Sequence, residues 1–205
     1  MYLPKHFKQT DIEEIKGLVA CFPLATCVVN MGDGFEVNHF PMIWRDDQLI
    51  GHIAFANPMH KTLQNGCKAV FVFNAGDTYV SPNWYPTKAQ HHKHVPTWNY
   101  QVVHMHGELF FKHGEKDKIA AVGLLTQLHE KRVNGDKAWK MRDAPRDYIK
   151  TKIEGIVGIE FHIKRLEAKS KLSQNREKID YTAVMDKMEE MQLMGLSQSM
   201  KKLRD

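Results

Sequence analysis

Apolar residues first recur at helical spacing, at Ile12, Ile15, Leu18, Val19 and Phe22, which predicts an amphipathic helix. Thr10 with Glu13 three residues on reads as a capping box at its start, and Pro23 stops it. The period then changes to two. Residues 25–30 form a short β-rich run, Met31-Gly32-Asp33-Gly34 is turn chemistry, and strand candidates follow at 35–40, 43–44 and 49–55. Closely spaced strands joined by tight turns predict an antiparallel meander. After a break at Asn57-Pro58, residues 59–65 predict a helical turn ending at Gly66.

Ala69-Val70-Phe71-Val72-Phe73 is apolar at every position and predicts a central strand buried on both faces. A turn at Gly76-Asp77 is expected to separate it from Thr78-Tyr79-Val80. Residues 81–97 carry three prolines and a histidine cluster and read as a long irregular loop, a type more often functional than idle. A long strand is predicted over 100–111. A helix follows over 115–133, with Ile119, Val122, Leu125 and Leu128 along one side. A short helix to about 153, a last strand over 156–163 and a C-terminal helix from 179 complete the pattern. That last helix carries Val184, Met188, Met191 and Leu193 at helical spacing. Without repeats or a linker, one α+β domain over 1–205 is the economical expectation.

Composition narrows the class. Hydrophobic residues make up 42% of the chain, enough to build a core. No apolar run approaches the roughly 20 residues of a spanning helix, and the N-terminal residues lack a secretory stretch, so a cytoplasmic protein is expected. The three cysteines, Cys21, Cys27 and Cys67, are odd in number and form no CxxC pair, against a disulfide framework or a zinc ribbon. A net charge of +5 favours anionic ligands and permits nucleic acid without demonstrating it.

The densest chemistry lies at Tyr79-Val80-Ser81-Pro82-Asn83-Trp84-Tyr85 and Val95-Pro96-Thr97-Trp98-Asn99-Tyr100. Aromatic rings alternating with hydroxyls and amides suit a planar heteroaromatic ligand; they equally suit a loop tacked to the core by tryptophans. Asn57 and His60-Lys61, after Gly51-His52-Ile53-Ala54, offer donors to a phosphate. Lys171-Leu172-Ser173-Gln174-Asn175-Arg176 places further donors before a helix, where Ser173 or Asn175 is alternatively a simple cap. Twelve histidines show none of the spaced Cys/His pairs of a zinc site, so no metal is expected. The signatures of Rossmann, P-loop, α/β-hydrolase and zincin enzymes are absent, and no helix-turn-helix stands out.

These blocks resemble the PaiB family, described as FMN-binding negative transcriptional regulators. The resemblance runs through Met1-Tyr2-Leu3-Pro4, Gly51-His52-Ile53-Ala54, Tyr79-Val80-Ser81-Pro82, Val95-Pro96-Thr97-Trp98-Asn99-Tyr100, Gly155-Ile156-Val157-Gly158 and Lys171-Leu172-Ser173-Gln174-Asn175-Arg176. It implies an antiparallel split β-barrel like that of pyridoxamine-phosphate oxidases, with FMN at a homodimer interface. His52, Asn57 and Lys61 would then face the phosphate. Ser81, Trp84, Tyr85, Trp98 and Asn99 would line the pocket, and Ser173, Gln174 and Arg176 would close it. Phe55, Met59-His60 and Ala75-Gly76 depart from the family pattern, the first two at positions that bear on flavin binding.

The implied function is a cytoplasmic, flavin-binding repressor that acts indirectly if no DNA-reading element exists. The alternatives are an FMN-dependent oxidoreductase or flavin reductase, a haem-handling split barrel, and a dimer with a decayed site. In the enzyme reading Tyr85, Tyr100 or His104 would donate a proton.

Overall fold

The computed structural model describes residues 1–203. In chain order the elements are β1 (Lys8–Gln9), α1 (Ile12–Cys21), β2 (Leu24–Asn30), β3 (Phe35–Pro41), β4 (Ile43–Arg45) and β5 (Gln48–Ala54). There follow α2 (Met59–Thr62), β6 (Cys67–Val80), α3 (Lys88–His91), β7 (Thr97–Lys112) and α4 (Glu115–Asn134). The chain ends with α5 (Arg146–Glu154), β8 (Ile156–Lys171), α6 (Lys178–Glu190) and α7 (Met194–Lys202). Hydrogen bonding orders the strands β3-β2-β6-β7-β8-β5-β4, with β1 on β8. The β2–β3, β2–β6, β4–β5, β5–β8 and β1–β8 pairs are antiparallel. The α+β, antiparallel architecture expected from the pattern is therefore the one found. Among the described residues no helix is long and apolar enough to cross a membrane.

Several boundaries differ from expectation, each for a local reason. Asp11, not Thr10, caps α1: its Oδ1 accepts the amides of Glu13 at 2.9 Å and Glu14 at 3.2 Å. No turn interrupts β6, because Gly76 takes φ +94° inside the continuous strand, a value glycine adopts without a Cβ penalty. Residues 69–73 are not buried on both faces: Ala69, Phe71 and Phe73 are inside while Val70 and Val72 are half-buried. The C-terminal helix is two helices, α6 and α7, parted where Gln192 adopts φ +60°. Along α4 only Ala121 and Leu125 are buried, whereas Ile119 and Leu128 face solvent.

Packing divides the chain into two compact units of discontinuous segments. One comprises Met1–Ile15, Asn74–Val103 and the chain from Glu167; the other comprises Lys16–Phe73 and His104–Leu166. In the second unit Phe71 packs between Phe40 (5.7 Å) and Phe161 (4.6 Å between ring centroids), in edge-on and tilted geometry. There β7 crosses β8 so closely that a Cβ on Gly107 would lie 1.9 Å from the carbonyl oxygen of His162. In the first unit α6 and α7 give Val184, Met188, Leu196 and Met200 to a core shared with Val80, Tyr85 and Leu172. Each such side chain, fully buried, contributes on the order of 2 kcal/mol. Tyr181 Oη donates to the Met200 carbonyl at 2.6 Å, tying α6 to α7.

Candidate functional site

The first unit carries most of the expected site. Ser81 follows β6, and its Oγ accepts the Asn83 amide at 3.2 Å, capping a 3-10 turn over Pro82–Trp84. That turn presents Trp84 half-buried and Tyr85 buried. The Arg176 guanidinium carbon lies 4.9 Å from the centre of the Tyr85 ring, within cation–π range. Burial pushes the Tyr85 hydroxyl above the usual phenol range, with Arg176 opposing the shift.

Asn99, fully buried on β7, accepts the Ser173 hydroxyl at Oδ1 (3.0 Å), while its Nδ2 has no hydrogen-bond partner among the described residues. Ser173 makes this bond from φ +65°, a left-handed conformation that costs a non-glycine residue about 1 kcal/mol or more. Neither Ser173 nor Asn175 caps α6, whose N-cap position is Glu177 without a side-chain capping bond. The simple-cap alternative is thereby closed. Trp98 is half-exposed and stands edge-on to Tyr79 at 6.1 Å.

Gln174 is committed to the backbone: its Oε1 accepts the Leu172 amide at 2.7 Å and its Nε2 donates to the Ser170 carbonyl. With Arg176 it also lines a cavity of about 370 Å³ completed by Lys178, Tyr181 and Leu203. Lys178 and Tyr181 were not singled out from the sequence, since on α6 they read as ordinary helix residues. Lys171, the cation that opens the Lys171–Arg176 block, is turned to the neighbouring strand. Its Nζ donates to Thr97 Oγ1 at 2.6 Å and to the Trp98 carbonyl. Burial, then the neighbouring cations Lys169 and Arg176, lower its pKa.

The second unit holds His52, Asn57 and Lys61. His52 lies on β5 opposite Gly158 of β8; its Nδ1 is buried without a hydrogen-bond partner among the described residues, and burial lowers the imidazole pKa. Asn57 is structurally committed. Its Nδ2 donates to Asn38 Oδ1 at 3.0 Å, and its Oδ1 accepts the Met59 amide at 3.0 Å, fixing the entry to α2. Lys61 is exposed, with its ammonium 5.4 Å from the Phe55 ring centre. His60 Nε2 donates to the Phe55 carbonyl at 2.9 Å.

These donors fit a flavin mononucleotide in kind. The first unit offers a half-buried indole at Trp84, an amide nitrogen at Asn99 unpartnered among the described residues, and a guanidinium, backed by Tyr85, at a cavity of about 370 Å³. Ligand cavities run from about 300 to 1,000 Å³.

Comparison with known proteins agrees. Residues 1–165 match the family model described as "Putative FMN-binding domain". The chain is 33% identical over 195 residues to "Protease synthase and sporulation protein PAI 2" of Bacillus subtilis (strain 168), covering 92% of this chain and 89% of that one. An FAD and haem binding protein from Mycobacterium smegmatis superposes with a TM-score of 0.62 at 15% identity, over 86% of this chain and 78% of its own. The flavocytochrome Anf3 from Azotobacter vinelandii gives 0.60 at 15% identity, over 86% and 75%. At such identities the two structures speak for the fold alone. With the family model matching residues 1–165 and 33% identity to PAI 2 across most of both chains, this chain belongs to the PaiB family of FMN-binding split-barrel proteins.

Proposed function

We propose that this protein is a cytoplasmic, homodimeric flavin-binding regulator that lowers transcription of its target genes when loaded with FMN. The observation that carries the reading is the Arg176–Tyr85 stack beside the buried, unpartnered Asn99 amide and a cavity lined by Arg176 and Lys178. In this reading Arg176 and Lys178 hold the anionic end of the ligand and Asn99 Nδ2 donates to the edge of the ring. Trp84 supplies an apolar wall, buried Tyr85 backs the Arg176 guanidinium, and the partner subunit completes the pocket. The flavin itself supplies reversible redox chemistry. The regulatory half rests on kinship with PAI 2, which is named a protease synthase and sporulation protein. No DNA-reading element was recognised in the sequence, so the regulation is taken to be indirect.

The test is an FMN titration of the purified protein, followed by flavin fluorescence, with mass measured in solution. Saturation at one FMN per chain, weakened about tenfold or more in Arg176→Ala by loss of a charge-assisted contact, supports the reading. No binding up to about millimolar FMN, equivalent to about −4 kcal/mol, sinks it.

A second reading, an FMN-dependent oxidoreductase, is favoured by one feature. The Tyr85 hydroxyl is buried without a hydrogen-bond partner among the described residues, so its proton is available to a bound substrate. NADH- or NADPH-driven flavin reduction that is lost in Tyr85→Phe would select this reading over the regulator.

A further inference from the structure

The segment between Ser81 and Pro96 carries the aromatic wall of the site, yet its regular structure is one 3-10 turn and the four-residue α3. A buried side-chain network of the same unit fixes it. Asp180, in the first turn of α6, is 1% exposed. Its Oδ1 accepts the Thr87 amide at 3.1 Å and its Oδ2 accepts the Thr87 hydroxyl at 2.7 Å. A threonine hydroxyl has one proton, and Asp180 takes it. The 2.7 Å contact between Thr87 Oγ1 and His94 Nε2 is therefore a bond donated by the imidazole. His94 Nε2 also lies 3.5 Å from Asp180 Oδ2, and both side chains are almost wholly buried. The His94 ring rests on Tyr85 at 4.5 Å, and Tyr85 in turn lies under Arg176.

We propose that Asp180, Thr87 and His94 form a bolt that sets Tyr85 beneath Arg176, and that Asp180 and Thr87 are thereby positioning residues for the anionic aromatic ligand of this site. The proposal rests on the flavin reading above. The bolt spans 93 residues of sequence and joins the loop to the helix whose start lines the cavity. Two hydrogen bonds to a buried carboxylate give it strength, since bonds to charged groups are about twice as strong as neutral ones. Without it, Tyr85 loses the support of His94, and Arg176 loses the ring that orients its guanidinium. Affinity should then fall further than overall stability does.

The test compares Thr87→Val, which keeps the shape and removes the hydroxyl, with Thr87→Ser, which restores it. FMN affinity is read by fluorescence, fold stability by thermal melting, and loop order by trypsin cleavage after Lys88 and Lys93. Thr87→Val is expected to weaken FMN binding roughly tenfold and to speed cleavage at those lysines. Thr87→Ser should return both to near the wild-type values. Affinity unchanged in Thr87→Val overturns the proposal, as does affinity lost in equal measure in Thr87→Ser. A wild-type chain that binds no FMN defeats the flavin reading by itself. The bolt is then judged on cleavage alone, and equal cleavage of wild type and Thr87→Val overturns it.

Discussion

Asn99 offers a way to separate the contribution of one buried amide to ligand binding from its contribution to the fold. Its Oδ1 accepts the Ser173 hydroxyl at 3.0 Å, and its Nδ2 is buried without a partner. A buried polar group left unsatisfied costs about 1–3 kcal/mol. Asn99→Leu, close in shape, removes the orphan nitrogen and recovers that cost, but leaves the buried Ser173 hydroxyl without its acceptor at a similar cost. The net change in unfolding free energy should lie within about 1 kcal/mol of zero. Ser173→Ala behaves differently: it leaves both ends of the amide unsatisfied and should destabilise by about 1–3 kcal/mol. In the double variant no polar atom of the pair remains, so stability should recover relative to Ser173→Ala, giving a positive coupling. FMN affinity should fall in Asn99→Leu by about three- to tenfold, one neutral hydrogen bond. Urea unfolding and flavin titration on the same four proteins provide the readout. If Asn99→Leu loses as much stability as Ser173→Ala and keeps its FMN affinity, the amide nitrogen is a structural group and the argument fails.

Other perturbations test the frame around the site. Gly107→Ala puts a methyl group 1.9 Å from the His162 carbonyl oxygen, so β7 or β8 must shift. A loss of on the order of 3 kcal/mol is expected in urea melts, and a near-wild-type midpoint would refute the close approach. Burial, with a smaller contribution from Cys67, pushes the Cys27 thiol up to about 12, whereas Cys21 is exposed. An aromatic disulfide reagent at pH 8 should titrate Cys21 in the native protein and reach Cys27 only on unfolding. Because the folded value lies above the ordinary 9.0, the stability linked to Cys27 is present below pH 9.0 and lost as pH rises toward about 12. The alkaline decline in melting temperature should therefore shrink in Cys27→Ala. Burial lowers the pKa of His52, so its linked stability is present above the ordinary 6.5 and fades as pH falls through its depressed folded value. His52→Gln should flatten the acid limb of the pH–stability profile, and an unchanged limb would show that His52 is solvated.

What the sequence revealed followed interaction range. Runs such as 25–30 and 49–55 were legible because one face of each strand meets the core, as Ala25, Cys27 and Val29 do. The far end of β8 was not legible: the last strand was expected only over 156–163, because Lys164, Arg165, Glu167 and Lys169 break the apolar pattern beyond it. The structure buries Lys169 by laying its ammonium near the rings of Tyr2 (5.7 Å) and Tyr100 (5.2 Å), which hydropathy does not register. The blocks around Trp98 and Arg176 were legible as motifs, but the tasks of their members were not. Gln174 and Asn57 use their side-chain amides on neighbouring groups of their own units, and Asp180 looks like any acidic residue in a first helical turn until Thr87 is seen against it.

Features that local rules disfavour gather in the first unit around a few residues. Ser173 sits at φ +65°, Asn99 Nδ2 lacks a partner, and Lys171 is held beside Lys169 and Arg176 with its pKa lowered. None of these three cations pairs with a carboxylate among the described residues. A chain under selection for stability alone would replace such groups, because each carries a cost and apolar substitutes are available. Their concentration supports the proposed site for an anion with hydrogen-bond acceptors along a flat edge. In the proposed site such a ligand would relieve the orphan amide and offset these cations together, leaving only the Ser173 backbone strained. Strain that persists with ligand bound has to be held by surrounding structure, here the hydroxyl bond to Asn99 and the Gln174 amide bridging Leu172 and Ser170.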